Sequence, residues 1–426
     1  MIDESSSACN SYTRRWLDEL NLSLNQLKPR GLLRNLKVVS CSGPMIRTDD
    51  GRELVNMTSN SYLALNDHPE MKQAVVDAAN RYGTGAGASL LISGHWPIHE
   101  QTERDCAAFK HAEAALLTPT GYMANLAVLT ALAGPGDLIC LDKLCHASLI
   151  DAARASGAEV RTYPHLKTDK LRRLLQKHLD DHACGCTGAD RSLHSQNNFR
   201  RAPRRFIVTD SVFSMDGDCA DLRELCDLAE AYDAIVLVDE AHGTGVLGET
   251  GAGLCEAQGV SHRVHVTVGT ASKALGSLGG IITAARPVIE TIVNHARSVI
   301  YTTAMPPVQA ASIRKAVELI QRESWRRQRL RELTMRLHDC LRDLGWPMPQ
   351  DTDHVVPIIP LIVGETRKAI ELAEHLHRRG YAAPAIRPPT VPPGGARVRL
   401  SLRADMQDDH IDGLVKAIRD FGSPVS

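Results

Sequence analysis

One lysine stands among small residues in a stretch that could carry chemistry. The segment TVGTASKALGSLGG, residues 267–280, places Lys273 just after a short apolar run. A lysine in such a pocket is easily desolvated, which lowers its pKa and gives a neutral amine able to form an imine with an aldehyde. The alternative is that its long side chain simply reaches solvent, as most lysines do.

Other reactive side chains follow predicted buried strands. His146 follows LICLDKLC, Ser214 follows FIVTDSVF, and IVLVDEAHG ends in Asp239 and His242. Taken alone, Asp239 could be a helix N-cap and His146 a satisfied core histidine. Ligands of open α/β sheets bind beyond the carboxyl ends of the strands, however, so we expect these residues and Lys273 to share one site.

Pyridoxal phosphate is the cofactor that this combination favours. It needs a lysine at its aldehyde, a carboxylate at its pyridine nitrogen, and backbone amides at a helix N-terminus for its phosphate. Asp239 suits the second need. The segment TPTGYMAN suits the third, because Thr120, Gly121 and Tyr122 open a predicted helix whose first N–H groups lack intrahelical partners.

A nicotinamide dinucleotide is a competing cofactor, raised by the glycine-rich segment GTGAGAS at residues 83–89. A genuine dinucleotide fingerprint follows a strand and opens a helix. Here the glycines follow a predicted helix that ends in AANRYG. The segment therefore predicts a glycine-rich turn rather than a dinucleotide site.

The elements that must position these residues alternate along the chain. Helical periodicity covers residues 68–83, 100–116, 121–134 and 146–159, and short β-branched runs cover residues 137–142, 204–213, 233–242, 264–270 and 279–285. Continuous apolar strands of this kind are buried on both faces of a mostly parallel sheet. The pattern predicts a doubly wound α/β fold.

The domain organisation follows from a change in this pattern after IYTTAMPP. We predict an N-terminal segment at residues 1–60, a large domain at 61–305 and a smaller C-terminal α+β domain at 306–426. The C-terminal domain would open with charged helical sequence over residues 312–345. Residues 180–203 lack periodicity and are predicted to form a surface insertion.

Composition excludes several classes of partner. The chain has 426 residues, 43% hydrophobic and 23% charged, with a formal net charge of -1, so neither a nucleic acid nor a membrane is expected. The eleven cysteines are scattered, and no apolar signal segment opens the chain, which predicts the cytoplasm. Cys184, Cys186 and His182 could hold a metal, but their spacing matches no zinc pattern and none is predicted.

Seven segments together resemble one family, the α-oxoamine synthases. These segments are SNSYLAL, HASLIDAA, VFSMDGD, VDEAHGTGVLG, TASKALG, IYTTAMPP and RPPTVPPGGARVRLSL, and the resemblance covers roughly residues 30–422. It implies a pyridoxal-phosphate-dependent transferase of fold type I, the aspartate aminotransferase fold, with a mostly parallel seven-stranded sheet. It also implies decarboxylative condensation of an amino acid with an acyl thioester, in a homodimer with shared active sites.

The resemblance assigns roles residue by residue. Lys273 resembles the lysine that holds the cofactor and moves the α-proton, Asp239 the partner of the pyridine nitrogen, and His146 the histidine stacked on the ring. His242 and Ser214 resemble residues near the phenolic oxygen. Further phosphate ligands are implied at Thr270 and, from a second subunit, at Thr302 and Thr303.

Substrate contacts are implied in the same way. Arg399 matches the position that binds the substrate carboxylate, with Asn60 opposite. Arg387, Thr390 and Arg34 match positions on the acyl side. Arg397 lies two residues from Arg399 on a predicted strand, so the two share one face and one of them could be purely structural.

The C-terminal motif favours members of the family that use L-alanine and a pimeloyl thioester, carried by coenzyme A or acyl carrier protein. Members that use glycine or serine remain an alternative, as does a non-catalytic partner subunit. Two departures from the family pattern, Ala88 for glycine and Leu90 for arginine, leave the acyl pocket open.

Overall fold

The computed structural model describes residues 5–29, 32–183, 202–348 and 354–422. Cys184, Cys186 and most of the predicted insertion lie outside these residues. The chain forms two compact units, a smaller one within residues 1–41 and 46–53, and a larger one comprising 42–45 and 54–426. The strand ends at which the sequence predicts reactive side chains belong to the larger unit.

Helices and strands alternate over most of the described chain, as the sequence pattern predicts. The helices are α1 (Ser5–Leu27), α2 (Pro69–Tyr82), α3 (Pro97–Phe109), α4 (Gly121–Leu132), α5 (Ala147–Ala155), α6 (Thr168–Ala183), α7 (Leu222–Ala231), α8 (Leu254–Ala257), α9 (Arg286–His295), α10 (Arg297–Ile300), α11 (Pro307–Arg322), α12 (Trp325–Asp343), α13 (Thr366–Arg378) and α14 (Asp408–Phe421). The strands are β1 (Val39–Ser42), β2 (Met45–Thr48), β3 (Glu53–Asn56), β4 (Ala114–Thr118), β5 (Leu138–Asp142), β6 (Glu159–Tyr163), β7 (Arg205–Asp210), β8 (Ala234–Asp239), β9 (Val266–Thr270), β10 (Gly280–Ala284), β11 (Ile358–Gly364), β12 (Tyr381–Ala382), β13 (Ala385–Ile386) and β14 (Ala396–Ser401). Among the helices of the described ranges, none has the length and apolar character to cross a bilayer.

The central sheet has seven strands in the order β4-β10-β9-β8-β7-β5-β6. The five neighbouring strands β6, β5, β7, β8 and β9 pair in parallel, and β10 runs antiparallel to both β9 and β4. The prediction of a mostly parallel seven-stranded sheet of fold type I is confirmed.

The inner strands are largely apolar because each face of the sheet is covered, whereas the edge strand β6, with the sequence EVRTY, is mostly exposed. In β5, Leu138 and Cys140 pack into one core cluster, and Ile139 and Leu141 pack into a second. All four side chains are almost completely buried. Successive side chains of a strand point to opposite faces, so burying both faces demands a continuous apolar run.

The C-terminal part contains a three-stranded sheet in the order β11-β14-β13. β14 pairs antiparallel with both neighbours, and Arg397 and Arg399 lie on it, next to Ile362 and Pro360 of β11. The boundary predicted at residue 306 stays a prediction.

One predicted helix is wrong in extent. The helix predicted over residues 100–116 ends at Phe109, because His111 takes a left-handed conformation at φ 55° and the apolar run after it enters β4. The charged helical sequence predicted at 312–345 is helical, and it is divided into α11 and α12 because the backbone leaves helical geometry at Glu323, with φ -109° and ψ 57°.

Candidate active site

A cavity of about 260 Å³ opens at the carboxyl ends of β5, β7, β8 and β9. Nine of the predicted cofactor-binding residues line it: Thr120, Gly121, Tyr122, His146, Ser214, Asp239, His242, Thr270 and Lys273. These residues come from positions up to 153 apart in the sequence. The parallel strands bring them together because all of those strands end at the same edge of the sheet.

Lys273 lies on the short connection between β9 and β10. The connection is closed by a hydrogen bond from the Ala271 N–H to the Gly279 carbonyl at 2.8 Å, and by one from the Ser277 N–H to the Ala271 carbonyl, also at 2.8 Å. Gly276 is required at this turn, since its φ is +64° and a Cβ there would lie 2.4 Å from the backbone nitrogen of Asn66. The main chain that carries Lys273 is therefore fixed in position.

The environment of Lys273 destabilises its charged form. Burial lowers the pKa of the lysine below its usual value of 10.5, although the charges of Asp239 and Asp210 act in the opposite direction. The positive charge of Arg399 adds to the lowering. A lowered pKa is what a lysine needs to act as nucleophile or base near neutral pH.

Asp239 is buried at the end of β8 and is held by two donors. Its Oδ2 accepts from Asn125 Nδ2 at 2.6 Å, and its Oδ1 accepts from the Ala241 N–H at 2.8 Å. Asp210 lies beside it in register on β7, and burial together with the charge of Asp239 raises the pKa of Asp210 well above its usual value. Asp239 is therefore a carboxylate of fixed orientation at the cavity, suited to contact a cationic group.

His146 caps α5 and also lines the cavity, so its structural role is observed and its predicted chemical role stays a prediction. Its Nδ1 accepts from the Ser148 N–H at 3.3 Å and lies 2.7 Å from Ser148 Oγ. Its backbone N–H donates to Asp210 Oδ2 at 2.8 Å. Because Asn125 Nδ2 also donates to Ser148 Oγ at 2.8 Å, one polar network connects His146 with Asp239.

A second network connects His242 with Arg399. The hydroxyl of Tyr62 lies 2.7 Å from His242 Nδ1 and donates to Asn60 Oδ1 at 3.2 Å. Arg399 donates to the same Asn60 oxygen at 3.1 Å and to the Ser214 carbonyl at 2.6 Å. Burial, with the charges of Lys273, Arg399 and His146, lowers the pKa of His242 well below its usual value, so this histidine is neutral near pH 7.

The phosphate site predicted from the sequence corresponds to the start of α4. Thr120 caps the helix by accepting from the Met123 N–H at 3.2 Å, and a Cβ on Gly121 would lie 3.3 Å from the side chain of Thr270. A Cβ on Gly280 would lie 2.5 Å from the Thr120 carbonyl. The two glycines let the helix N-terminus approach Thr270 closely, as phosphate binding by backbone N–H groups requires.

The remaining predicted residues do not line this cavity. Thr303 forms an isolated bridge with Ser89, Arg387 is partly buried, and Thr390 is exposed. Arg34 lies in the smaller unit with an exposed side chain. Their roles, like that of Thr302, stay predictions.

Sequence reasoning missed several residues of the site, namely Asn125, Ser148, Asp210 and Tyr62. Asn125 had a detectable signal, since it is a lone amide in the apolar helix GYMANLAVLTA, and such a residue must find a buried partner. Asp210 ends its strand as Asp239 does. Tyr62 had no such signal, because it meets His242 only through the fold.

Comparison with known proteins agrees with this geometry. Residues 52–418 match the family described as aminotransferase class I and II. The chain is 43% identical to the 8-amino-7-oxononanoate synthase of Nitrosomonas europaea over 95% of this chain and 99% of that protein. It is 44% identical to the enzyme of the same name from Alkalilimnicola ehrlichii, over 94% and 96%.

Two solved structures extend the comparison. Serine palmitoyltransferase from S. paucimobilis with a bound PLP–myriocin aldimine superposes with a TM-score of 0.84, at 25% identity over 96% of this chain and 97% of that one. An 8-amino-7-oxononanoate synthase from Francisella tularensis gives a TM-score of 0.70, at 25% identity over 86% and 97%. The predicted family resemblance and fold are confirmed, and the chain belongs to the aminotransferase class I and II family.

Proposed function

We propose that this member of the aminotransferase class I and II family binds pyridoxal phosphate and condenses L-alanine with a pimeloyl thioester. The products would be 8-amino-7-oxononanoate, carbon dioxide and the free thiol carrier, a step of biotin biosynthesis. The observation that carries the proposal is one cavity holding a lysine of lowered pKa opposite a doubly held carboxylate. Relatives at 43% and 44% identity support the choice of reaction.

The residues present fit this cofactor. Asp239 would hold the pyridine nitrogen, the N-terminus of α4 and Thr270 the phosphate, and His146 one face of the ring. When bound, the cofactor supplies a conjugated ring that takes up the electron pair left on Cα of the amino acid. The glycines at 121 and 280 leave the start of α4 open for it.

The chain's own side chains would then move the protons. Lys273 Nζ would take the proton from Cα, because a lowered pKa increases the neutral fraction of its amine. Arg399 would orient the carboxylate of alanine, since Asn60 and the Ser214 carbonyl fix the plane of its guanidinium. His242 stays neutral and can donate or accept a hydrogen bond without adding charge.

A homodimer belongs to this proposal. The segment Tyr301 to Thr303 would reach the phosphate of a second subunit, which accounts for its position outside the cavity of its own chain. Tyr301 is 72% exposed, and Leu91 and Ile92 are 51% and 81% exposed, so apolar surface is available for a partner. Buried free thiols at Cys106, Cys140 and Cys145 suit the reducing cytoplasm.

A serine-using synthase is the second candidate, because the serine palmitoyltransferase structure superposes with a TM-score of 0.84. That structure is 25% identical, against 43% for the relative from Nitrosomonas europaea, so alanine is favoured. The protein should be incubated with pimeloyl-coenzyme A and, in turn, alanine, serine and glycine, while carbon dioxide and amino ketone are measured. Product from serine or glycine but not from alanine would contradict the proposal.

A further inference from the structure

A histidine outside the cavity connects two of the loops that shape it. His165 follows β6, and its ring lies between two carboxylates: Nδ1 is 3.0 Å from Asp142 Oδ1, and Nε2 is 2.7 Å from Asp218 Oδ2. We propose that His165, as an imidazolium between Asp142 and Asp218, is a positioning residue that holds in place the turn before His146 and the loop 213–218 that contacts Arg399. This inference rests on the proposed function, because it assigns His165 a part in that reaction.

Asp142, the first of the two carboxylates, is connected to His146 through the turn that follows β5. Asp142 ends β5, its Oδ1 accepts from the Leu144 N–H at 2.8 Å, and its carbonyl accepts from the Cys145 N–H at 3.1 Å. These bonds shape the turn from which His146 enters the cavity and caps α5. The other oxygen of Asp142 accepts from the Leu166 N–H at 2.9 Å, which fastens the loop of His165 itself.

The second carboxylate leads to Arg399. The Asp218 carbonyl accepts from the Phe213 N–H at 3.0 Å, and the Phe213 carbonyl accepts from the Gly217 N–H at 2.9 Å, so residues 213–218 form a closed loop. Within it, the Ser214 carbonyl accepts from Arg399 Nε at 2.6 Å. A shift of Asp218 would therefore be passed to the guanidinium expected to bind the substrate.

The contacts require a charged ring. Both ring nitrogens face carboxylate oxygens, which accept but do not donate when ionised, so both nitrogens must carry a proton. Burial would lower the pKa of His165, but the hydrogen bonds to Asp142 and Asp218 outweigh it and raise the pKa to about 9. The rings of His165 and Phe213 pack edge to face, with centroids 4.4 Å apart, which restricts the orientation of the imidazole.

The sign of the pH dependence follows. The pKa of His165 in the folded chain is about 9, above its usual 6.5. The stabilisation that the charged ring gives to the fold is therefore complete below about pH 6.5 and is lost as the pH rises through 9. The charged groups that act on the ring are Asp142 from β5 and Asp218 from the loop after β7. Above pH 9 these two carboxylates would repel each other.

Two substitutions test the charge. His165→Gln removes it and His165→Arg keeps it, while His111→Gln is a matched control. His111 lies before β4 at the opposite edge of the sheet, and its Nε2 is 3.7 Å from Glu256. We expect KM for alanine to rise about tenfold in His165→Gln with a smaller change in kcat, because a charge-assisted contact behind Arg399 is lost. His165→Arg should recover most of this loss, and His111→Gln should change neither constant.

A measurement without substrate separates this inference from the proposed reaction. NMR of histidine-labelled protein should show one ring titrating near pH 9, with its signal missing in His165→Gln. Titration of that ring near 6.5, or an unchanged KM in His165→Gln, overturns the inference. If His165→Gln does not fold, Asp218→Asn must lower the titration point of His165 and raise KM, and failure of either overturns it as well. Lack of turnover by the wild type would instead reject the reaction, whatever the titration shows.

Discussion

Asn125 donates from Nδ2 to Asp239 Oδ2 across 2.6 Å, joining the middle of α4 to the end of β8. The same nitrogen donates to Ser148 Oγ at 2.8 Å, and that oxygen lies 2.7 Å from His146 Nδ1. One buried amide therefore sets the positions of both the carboxylate and the histidine that would contact the cofactor ring. Its own Oδ1 is buried and has no hydrogen-bond partner among the described residues.

Asn125→Asp should weaken cofactor binding. The change replaces a donor to Asp239 with a third buried carboxylate beside Asp239 and Asp210, and loss of a hydrogen bond to a charged group costs about 1.5–3 kcal/mol. Titration of the apoprotein with pyridoxal phosphate, followed by visible absorbance, should show affinity lower by at least about tenfold. Asn294→Asp, on the exposed face of α9, is the control. Equal affinities for the two variants would contradict this role of Asn125.

Arg399→Lys and Arg397→Lys should have different effects, although both arginines are buried on β14. Arg397 pairs with Asp216 and donates to the Met215 carbonyl at 3.2 Å, whereas Arg399 contacts Asn60 and Ser214. A lysine cannot reproduce the planar, bidentate contact with a carboxylate. Steady-state kinetics should show KM for alanine at least about tenfold higher in Arg399→Lys.

Arg397→Lys should mainly lower the thermal stability, because it disturbs a buried ion pair without touching the substrate. A melting curve and KM for alanine, measured on the same preparation, separate the two effects. A rise in KM in Arg397→Lys as large as that in Arg399→Lys would show that both arginines bind the carboxylate.

Tyr62→Phe should destabilise the fold. It removes the hydroxyl that contacts His242 Nδ1 and Asn60 Oδ1, and leaves a buried ring nitrogen without a partner, at a cost of about 1–3 kcal/mol. The free energy of unfolding in urea should fall by that amount. Tyr12→Phe, at a site 79% exposed, is the control and should change it by less than about 0.5 kcal/mol.

Lys273 should react with electrophiles at lower pH than exposed lysines do. Its pKa is lowered by burial, so a larger share of its amine is neutral at pH 8–9 than for a lysine at 10.5. Trace reductive methylation of the apoprotein at a series of pH values, with peptide mapping, gives a midpoint for each lysine. Lys72, 65% exposed in its side chain, is the comparison. A midpoint for Lys273 at or above that of Lys72 would contradict a desolvated amine.

The same residue can be tested with the cofactor present. Borohydride reduction of the protein with bound pyridoxal phosphate should attach the cofactor to the peptide that contains Lys273, and Lys273→Ala should abolish both the attachment and the visible absorbance band. Turnover that survived in Lys273→Ala would exclude this lysine from the reaction.

The sequence was sufficient to predict Lys273, Asp239 and His146 as neighbours, because the carboxyl ends of parallel strands meet at one edge of a sheet. It did not predict the contact between Tyr62 and His242, which are 180 residues apart and packed by side-chain geometry alone. The helix predicted through residue 116 was wrong because AALLT, residues 114–118, begins with a continuous apolar run. Such a run fits the periodicity of a helix and that of a buried strand equally well. Such a short run takes its conformation from its neighbours in the sheet.

The closed connection between β9 and β10 has a stereochemical consequence. Its two backbone hydrogen bonds fix the main chain around Lys273, and its turn packs so closely on residue 66 that a Cβ at Gly276 would lie 2.4 Å from the Asn66 nitrogen. Because the main chain that carries Lys273 is fixed, its amine can deliver a proton only from the side of the cavity on which it removed one. We therefore expect the amino ketone to leave as a single enantiomer, with the handedness of the product set by the turn that carries the lysine.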